Sequence, residues 1–284
     1  MGLEITRHHF PVADPAVAMA PVVTSAEDVL SCIETSEFDR YDALDHALAV
    51  ARWRCAEDPE AALRETWDAW VTAMRVGTAL FISGASTDGP VTLLARNGDD
   101  LSELPATGPT PHLHAVNWLT AYYLAAVCRD NERLDLLARI PVSFLRASEV
   151  EVDEFVYAWV ETLQNAWFGR AETWSTLRTA FDGTDPTVPG IASAELKVLI
   201  SFPPMDLFYR YLLGEEEVFN AVLSDALTSH RNYWTAKEGR TLSSEGLVAL
   251  APLAVTCMAH DAGMAVQVRS EYLPKHLVYA RSSR

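Results

Sequence analysis

Hydrophobic residues recur along most of this chain at intervals of three and four positions, which is the spacing of one face of an α-helix. The clearest stripe lies between residues 63 and 81, where the steps are four, three, four, three and four. Its members are Leu63, Trp67, Trp70, Met74, Gly77 and Phe81. Comparable stripes elsewhere predict about ten helices in successive antiparallel hairpins. The fold class that we expect is therefore all-α.

One stretch differs from these stripes because it is apolar on every side. Residues 115–128, AVNWLTAYYLAAVC, carry no charged side chain, and none occurs between Glu103 and Arg129. A helix that is hydrophobic all round is normally buried, whereas a membrane span needs about 18 or more continuous apolar residues. Prolines before His112 and the charged residues after 128 shorten the run. We therefore expect 115–128 to be a buried central helix.

Turn-forming residues divide the helical pattern. Asn97-Gly98, between two short apolar runs, predicts a small β-hairpin near 91–104. Asp58-Pro59 predicts a helix start, with the aspartate as N-cap and the proline as the first helical residue. Asp153 is expected to cap the helix that follows it, and Pro252 is expected to kink a long helix near the C-terminus.

The same signals suggest how the chain is organised. Residues 1–24 are rich in proline and are expected to form an irregular N-terminal arm, with the first helix starting at about Ala26. Residues 25–284 are expected to form a single all-α domain. A weak sub-boundary is expected at 182–190, where two prolines and two glycines interrupt the helical pattern.

Composition restricts the possible functions of the chain more than it restricts the possible folds. The net charge of -17 argues against binding nucleic acid through its phosphates and favours a basic partner. The four cysteines are far apart and indicate reduced thiols of a cytoplasmic protein. Ala18-Met19-Ala20 resembles a signal-peptide cleavage site, but Pro11 and Asp14 interrupt the apolar segment that such a peptide requires. We therefore expect an unprocessed cytoplasmic protein that binds neither membrane nor nucleic acid.

Motifs that carry chemistry are missing from the sequence, which has no GxSxG, P-loop, HExxH or strand-linked GxGxxG. His112-Leu113-His114 has the spacing of a metal-binding pair, but no further ligand lies nearby in sequence. Cys257 precedes His260-Asp261 by one helical turn, and we interpret the group as a buried thiol beside a helix end. We expect no catalytic, cofactor-binding or metal-binding residues.

An enzyme alternative rests on residues 99–103, Asp-Asp-Leu-Ser-Glu, which resemble the acidic magnesium motif of helical terpene synthases. Those enzymes place the motif on a helix wall, whereas Asn97-Gly98 puts it next to a turn here. The second metal motif of those enzymes contains two carboxylates. In this chain the residues that follow Asn220 include Ser224 and Thr228, and both expected carboxylates are missing. The terpene-synthase interpretation stays open as an alternative.

A series of short blocks, specific in order and spacing, extends from about residue 40 to 278. The blocks are Asp58-Pro59-Glu60-Ala61-Ala62, Glu65-Thr66-Trp67, Leu104-Pro105-Ala106-Thr107-Gly108-Pro109, Asn117-Trp118-Leu119-Thr120-Ala121, Val127-Cys128-Arg129-Asp130, Arg146-Ala147-Ser148, Pro203-Pro204, Leu207-Phe208-Tyr209-Arg210, Tyr233-Trp234-Thr235, Ala251-Pro252-Leu253-Ala254-Val255, Asp261-Ala262-Gly263 and Ser270-Glu271-Tyr272-Leu273-Pro274-Lys275-His276-Leu277. Together they resemble the immunity protein 49 family of bacterial polymorphic toxin systems.

The resemblance implies a mostly α-helical protein that neutralises a cognate toxin domain by binding it, without catalysis and without a cofactor. Many toxin domains of such systems act on nucleic acids and are basic, so a basic nuclease is one partner that would suit the negative charge. An all-α scaffold or adaptor that binds another partner is the alternative. The oligomeric state stays open.

Charge is also the basis for locating the contact surface. Acidic residues are concentrated in the N-terminal part of the chain, where residues 1–60 hold 12 Asp and Glu against 4 Lys and Arg. We expect this part and the tip of the β-hairpin to face the toxin. The candidate partner-binding residues are Asp99, Asp100, Glu103, Glu34, Glu37, Asp39 and Asp42.

Overall fold

The structure, a computed structural model, describes residues 3–87, 89, 91–93 and 102–279. Most of these residues are helical, which confirms the all-α prediction. The helices are α1 (Pro15–Ser31), α2 (Glu37–Glu57), α3 (Arg64–Ala85), α4 (Ala115–Val127), α5 (Asn131–Ala138), α6 (Val142–Arg146), α7 (Glu154–Trp167), α8 (Thr173–Gly183), α9 (Ala194–Leu196), α10 (Phe202–Leu213), α11 (Glu216–Thr235), α12 (Glu238–Thr241), α13 (Leu250–Asp261) and α14 (Lys275–Val278). A π-helical turn, Lys197–Ser201, joins α9 to α10, and short 3-10 turns occupy Pro111–Leu113 and Ser244–Leu247.

A small antiparallel pair of strands lies between α3 and α4. Strand β1 (Val91–Leu93) pairs with β2 (Ser102–Leu104), with Val91 opposite Leu104. The pairing agrees with the predicted hairpin. The Asn97-Gly98 turn itself lies outside the described residues.

Helix α4 is central, as expected, and packs against α3, α5, α7 and α13. Trp118 is fully buried within it, and its Nε1 donates a hydrogen bond to the Leu137 carbonyl oxygen at 3.1 Å. The expectation of burial on every side is wrong for the first two turns, because Val116 is 45% exposed. α4 is enclosed by neighbouring helices on its other faces, but this face lines an open cavity.

The N-terminal arm is shorter than expected. Helix α1 begins at Pro15 and not at about Ala26, so the irregular part of the described arm ends at Asp14. The carboxylate of Asp14 accepts hydrogen bonds from the amides of Ala16 and Val17, at 3.1 and 3.2 Å. Pro15 at the first helical position has no N–H to leave unpaired, so Asp14-Pro15 is an effective helix start.

The helix start predicted at Asp58-Pro59 is wrong. Asp58 instead caps the C-terminus of α2, and α3 begins at Arg64. Between the two helices Ala61 adopts a left-handed conformation, with φ of 53°, which breaks the helical path. The Asp58 carboxylate nevertheless accepts the amides of Ala62 and Leu63, at 3.0 and 2.8 Å.

Two further expectations about helix ends need correction. Pro252 does not kink a long helix, because α13 begins at Leu250 and the proline lies in its first turn, where an N–H has no intrahelical partner. Asp153 precedes α7 but makes no capping hydrogen bond. Its carboxylate accepts the amides of Ile191 and Ala192, both at 2.8 Å, and so fixes the loop before α9 to the start of α7.

Residues 3–14 form an extended strap that lies against the C-terminal part of the chain. A parallel bridge joins Glu4 to Arg269. Further along the strap, the hydroxyl of Tyr272 accepts the backbone amide of His8 at 3.0 Å and contacts its Nδ1 at 2.8 Å. The two ends of the described chain therefore pack together. In the described part of the chain, no helix is both long and apolar enough to span a bilayer.

Candidate partner-binding surface

Four of the expected contact residues come together where α1 turns into α2. Ser36 caps α2 by accepting the amide of Asp39 at 3.2 Å. Glu37 and Asp39 lie in the first turn of α2, where negative charge is stabilised by the helix dipole. Asp42 follows one turn later. Acidic residues in a first turn also favour helix formation, and this alone accounts for the acidic character of this end of α2.

The turn that precedes α2 is held by a buried arginine. Arg40 is 8% exposed, and its Nη1 donates to the carbonyl oxygens of Ile33 and Glu34, both at 3.1 Å. These bonds fix the exposed Glu34 next to the first turn of α2. We call the surface formed by Glu34, Glu37, Phe38, Asp39, Tyr41 and Asp42 the α2 corner.

Two exposed aromatic side chains lie among these acids. Phe38 is 77% exposed and Tyr41 is 52% exposed, whereas Leu44 in the buried stripe of α2 is 2% exposed. Aromatic residues surrounded by polar ones are typical of the centres of protein–protein interfaces. The sequence analysis missed both, because it selected contact residues by charge. A helical wheel drawn from Glu37 puts Phe38 opposite the buried stripe and would have found it.

His112 and His114 support this corner and the start of α4. The Tyr41 ring packs edge-on against His112, with ring centroids 6.0 Å apart. Burial, with a smaller contribution from the charge of Arg40, lowers the pKa of His112 to about 4, so the ring is neutral at pH 7. His114 caps α4 by accepting the Asn117 amide at Nδ1 (3.4 Å), and burial lowers its pKa as well. Within the described ranges, no group of three His, Cys, Asp or Glu could hold a metal ion.

The three hairpin residues are placed differently. Glu103 is exposed on β2, and this strand packs against α3. Glu103 is therefore not part of the α2 corner. Asp99 and Asp100 lie outside the described residues. The structure therefore groups four of the seven candidates and adds Phe38 and Tyr41 to them.

The Cys257 group has the features of a helix end. Burial raises the pKa of Cys257 to about 12, so its thiol is protonated at pH 7. Asp261 pairs with Arg129, whose Nε lies 3.1 Å from the carboxylate. The His260 ring packs edge-on against Tyr279, with centroids 5.0 Å apart. Each side chain thus has a structural contact.

Comparison with known proteins gives one clear match. No curated protein and no solved structure matches the chain. The family model described as Immunity protein 49 matches residues 58–277, which is well over half of the chain and begins after the last residue of α2. This confirms the resemblance found in the sequence blocks, and the chain belongs to the immunity protein 49 family.

Proposed function

We propose that this protein protects the cell that makes it by binding a cognate toxin domain directly and blocking it, without catalysis. The observation that carries this proposal is the family match over residues 58–277. A protein with this role acts where the toxin would act, so we place it in the cytoplasm. The toxin domain encoded by a neighbouring gene is the expected partner.

The charge of the chain supports a basic partner. At a net charge of -17, the protein attracts positively charged molecules over distances of about a Debye length, roughly 8–10 Å at ordinary salt. Such complementarity raises the rate of association and the specificity more than it raises affinity. A nuclease toxin with a basic substrate-binding face has the matching charge, and occupation of that face would exclude nucleic acid.

The α2 corner is the proposed centre of contact. Phe38 and Tyr41 would bury apolar surface against the toxin, while Glu34, Glu37, Asp39 and Asp42 would form the charged rim around them. Asp99, Asp100 and Glu103 are proposed as a second acidic contact. The corner precedes the range that the family model matches, and contacts particular to one toxin are suited to such a position.

Co-expression in a susceptible host tests the proposal. The neighbouring toxin domain is expressed alone, with this protein, and with an unrelated acidic protein as control, and the toxin is then pulled down. We expect growth to be rescued only by this protein, together with a stable complex. Rescue without a complex would favour an enzyme that reverses the damage, and failure of rescue with a toxin of verified activity would return the chain to the scaffold interpretation.

A further inference from the structure

Arg52, in the C-terminal part of α2, lacks a partner for its charge. No hydrogen bond or ion pair joins its guanidinium to any residue that the structure describes, and its Nε atom is buried. Burial lowers its pKa, while the carboxylates of Glu245 and Asp45 act on it only through longer-range attraction. Arg52 is only partly buried and lines a cavity, so its guanidinium is available there to an anion that would pair with it.

The cavity beside Arg52 offers further hydrogen-bond donors. This cavity, of about 200 Å³, is also lined by Trp234 and by the first turn of α13. The indole Nε1 of Trp234 is buried and has no hydrogen-bond partner. Helix α13 has no side-chain cap and no acidic residue in its first turn, so the positive end of its dipole is not compensated locally.

Other polar groups in this wall are already accounted for. His230 is buried, and its Nε2 lies 3.1 Å from the carbonyl oxygen of Gly246, to which it donates. The carboxylate of Glu245 also lines the cavity and is exposed to water. The groups without hydrogen-bond partners, the guanidinium Nε and the indole N–H, are both donors, so an acceptor atom would satisfy them.

A larger apolar cavity adjoins the first. It has a volume of about 420 Å³, within the range of small-molecule sites, and the open face of α4 forms one wall. The two cavities share five wall residues, which are Thr120, Tyr123, Ile200, Pro204 and Ala251. Tyr123 is fixed in this wall because its hydroxyl accepts the Trp159 Nε1 at 2.6 Å. An apolar space thus lies next to an unpaired cation.

The π-helical turn Lys197–Ser201 supplies Ile200 to both cavities. It is held by Lys197, which is 1% exposed and donates from Nζ to the Val188 carbonyl oxygen at 2.9 Å. Single π-helical turns recur at functional sites because the wider turn changes the direction of the side chains that follow.

We propose that these paired cavities bind an organic acid with an apolar body. Its carboxylate pairs with the Arg52 guanidinium near Trp234 and the start of α13, and its apolar part lies along Tyr123 in the larger cavity. A planar guanidinium favours a carboxylate, which it can bind through two parallel hydrogen bonds. This site is separate from toxin binding, and its existence does not depend on the proposed function.

Thermal unfolding of the full chain tests the site, with octanoate as probe. Acetate lacks the apolar body and octanol lacks the charge, so both serve as partial ligands at equal ionic strength. At octanoate about tenfold above its Kd we expect Tm to rise by about 2–4 °C, with clearly smaller shifts for acetate and octanol. The fluorescence of Trp159 and Trp234 should change over the same concentration range.

Arg52→Met removes the charge and keeps the apolar stem, and Arg54→Met is the matched control. Arg54 is two residues away, pairs with Glu57 and does not line either cavity. We expect Arg52→Met to lose the octanoate shift without a lower Tm in the absence of ligand, and Arg54→Met to retain the shift. An equal octanoate shift in Arg52→Met, equal shifts with acetate or octanol, or no shift in the wild type would each overturn the proposal.

Discussion

At the scale of single residues, Asp58 shows how one carboxylate can stabilise a whole connection. It accepts the amides of Ala62 and Leu63 and, at 2.8 Å, the hydroxyl of Thr66. Although burial alone would raise its pKa, the hydrogen bonds from these three residues lower the pKa below its usual value. The ionised form is therefore the one that stabilises the fold between α2 and α3.

Asp58→Ala should lower the free energy of unfolding by about 1–3 kcal/mol at pH 7, because two amides and a hydroxyl lose their acceptor. Since the folded pKa lies below the unfolded one, the stabilisation is complete above about pH 4 and is lost as the pH falls through the folded pKa. Urea unfolding of wild type and variant at pH 7 and pH 3 would measure this. The exposed Asp68→Ala serves as control, and an equal cost at both pH values would contradict the prediction.

Phe38→Ala and Tyr41→Ala should each weaken toxin binding strongly. Phe38→Ala should change stability by no more than about 0.5 kcal/mol because its ring is 77% exposed, whereas Tyr41→Ala should cost more because the Tyr41 ring also packs against His112. An interface centre of this kind loses about 2 kcal/mol or more, roughly a thirtyfold rise in Kd. Titration calorimetry with the toxin domain gives the affinity. Trp174→Ala, an exposed aromatic on α8, should leave affinity unchanged. Wild-type affinity in both corner variants would exclude this surface.

The candidate surface was predictable from sequence only in part. The acids at Glu37 and Asp39 could be found because charge and helix-start chemistry both select them. Phe38 needed one further step, since a helical wheel shows its exposure only when α2 is known to begin at Glu37. The lack of a partner for Arg52 could not be predicted from the sequence, because it depends on what surrounds the guanidinium in three dimensions.

At the scale of elements, the Asp-Pro dipeptide shows why helix existence was predicted better than helix boundaries. Asp14-Pro15 starts a helix and was passed over, whereas Asp58-Pro59 was selected and does not. The local chemistry of the two dipeptides is the same. The outcome differs because the left-handed Ala61 interrupts the path after Pro59, in the connection between two helices that pack against each other.

The continuous path from α9 through the π-helical turn into α10 is a second case. Two consecutive prolines, Pro203-Pro204, would ordinarily interrupt a helix. A proline in a regular α-helix clashes with the carbonyl group four residues earlier, and a wider π-helical turn can relieve that contact. The turn at Lys197–Ser201 lies immediately before these prolines, so the helix passes into α10 with both prolines buried in its first turn.

The loop before α9 permits a sharp test at this scale. A Cβ atom on Gly190 would lie 2.2 Å from Oδ1 of Asp153, so Gly190→Ala must displace the carboxylate from the amides of Ile191 and Ala192. We expect a loss of about 1–3 kcal/mol, and faster amide hydrogen exchange in the loop. In an Asp153→Ala background the same change should cost much less, because the two effects are not additive. Full additivity in urea unfolding would refute the coupling.

At the scale of the whole molecule, the charge of -17 matters more than any single ion pair. Many of the ion pairs are on the surface and join residues three or four apart, so each contributes little. The all-α architecture and its central helix were predictable because they follow from periodic patterns and from the family blocks. The strap was not, because its contacts join residues from opposite ends of the chain.

Charge reversal tests how much long-range electrostatic attraction contributes to the rate of toxin association. Replacing Glu34, Glu37, Asp39 and Asp42 by lysine should slow association with a basic toxin by about one to three orders of magnitude and flatten its dependence on salt. A control with the same change in net charge reverses Glu161, Glu172, Glu217 and Asp225, all exposed on other helices or loops. Stopped-flow association at several salt concentrations distinguishes them. Equal slowing in both variants would mean that net charge acts without a preferred surface.

The strap also limits the order in which parts of the protein can fold during translation. His8 and its partner Tyr272 are separated by 264 positions. At about 5–20 residues per second, Tyr272 is therefore synthesised roughly 13–53 s after His8. The helices between them can form during translation, but the closure of the two ends cannot. The strap can therefore pack only after Tyr272 has been synthesised, later than the helices between them.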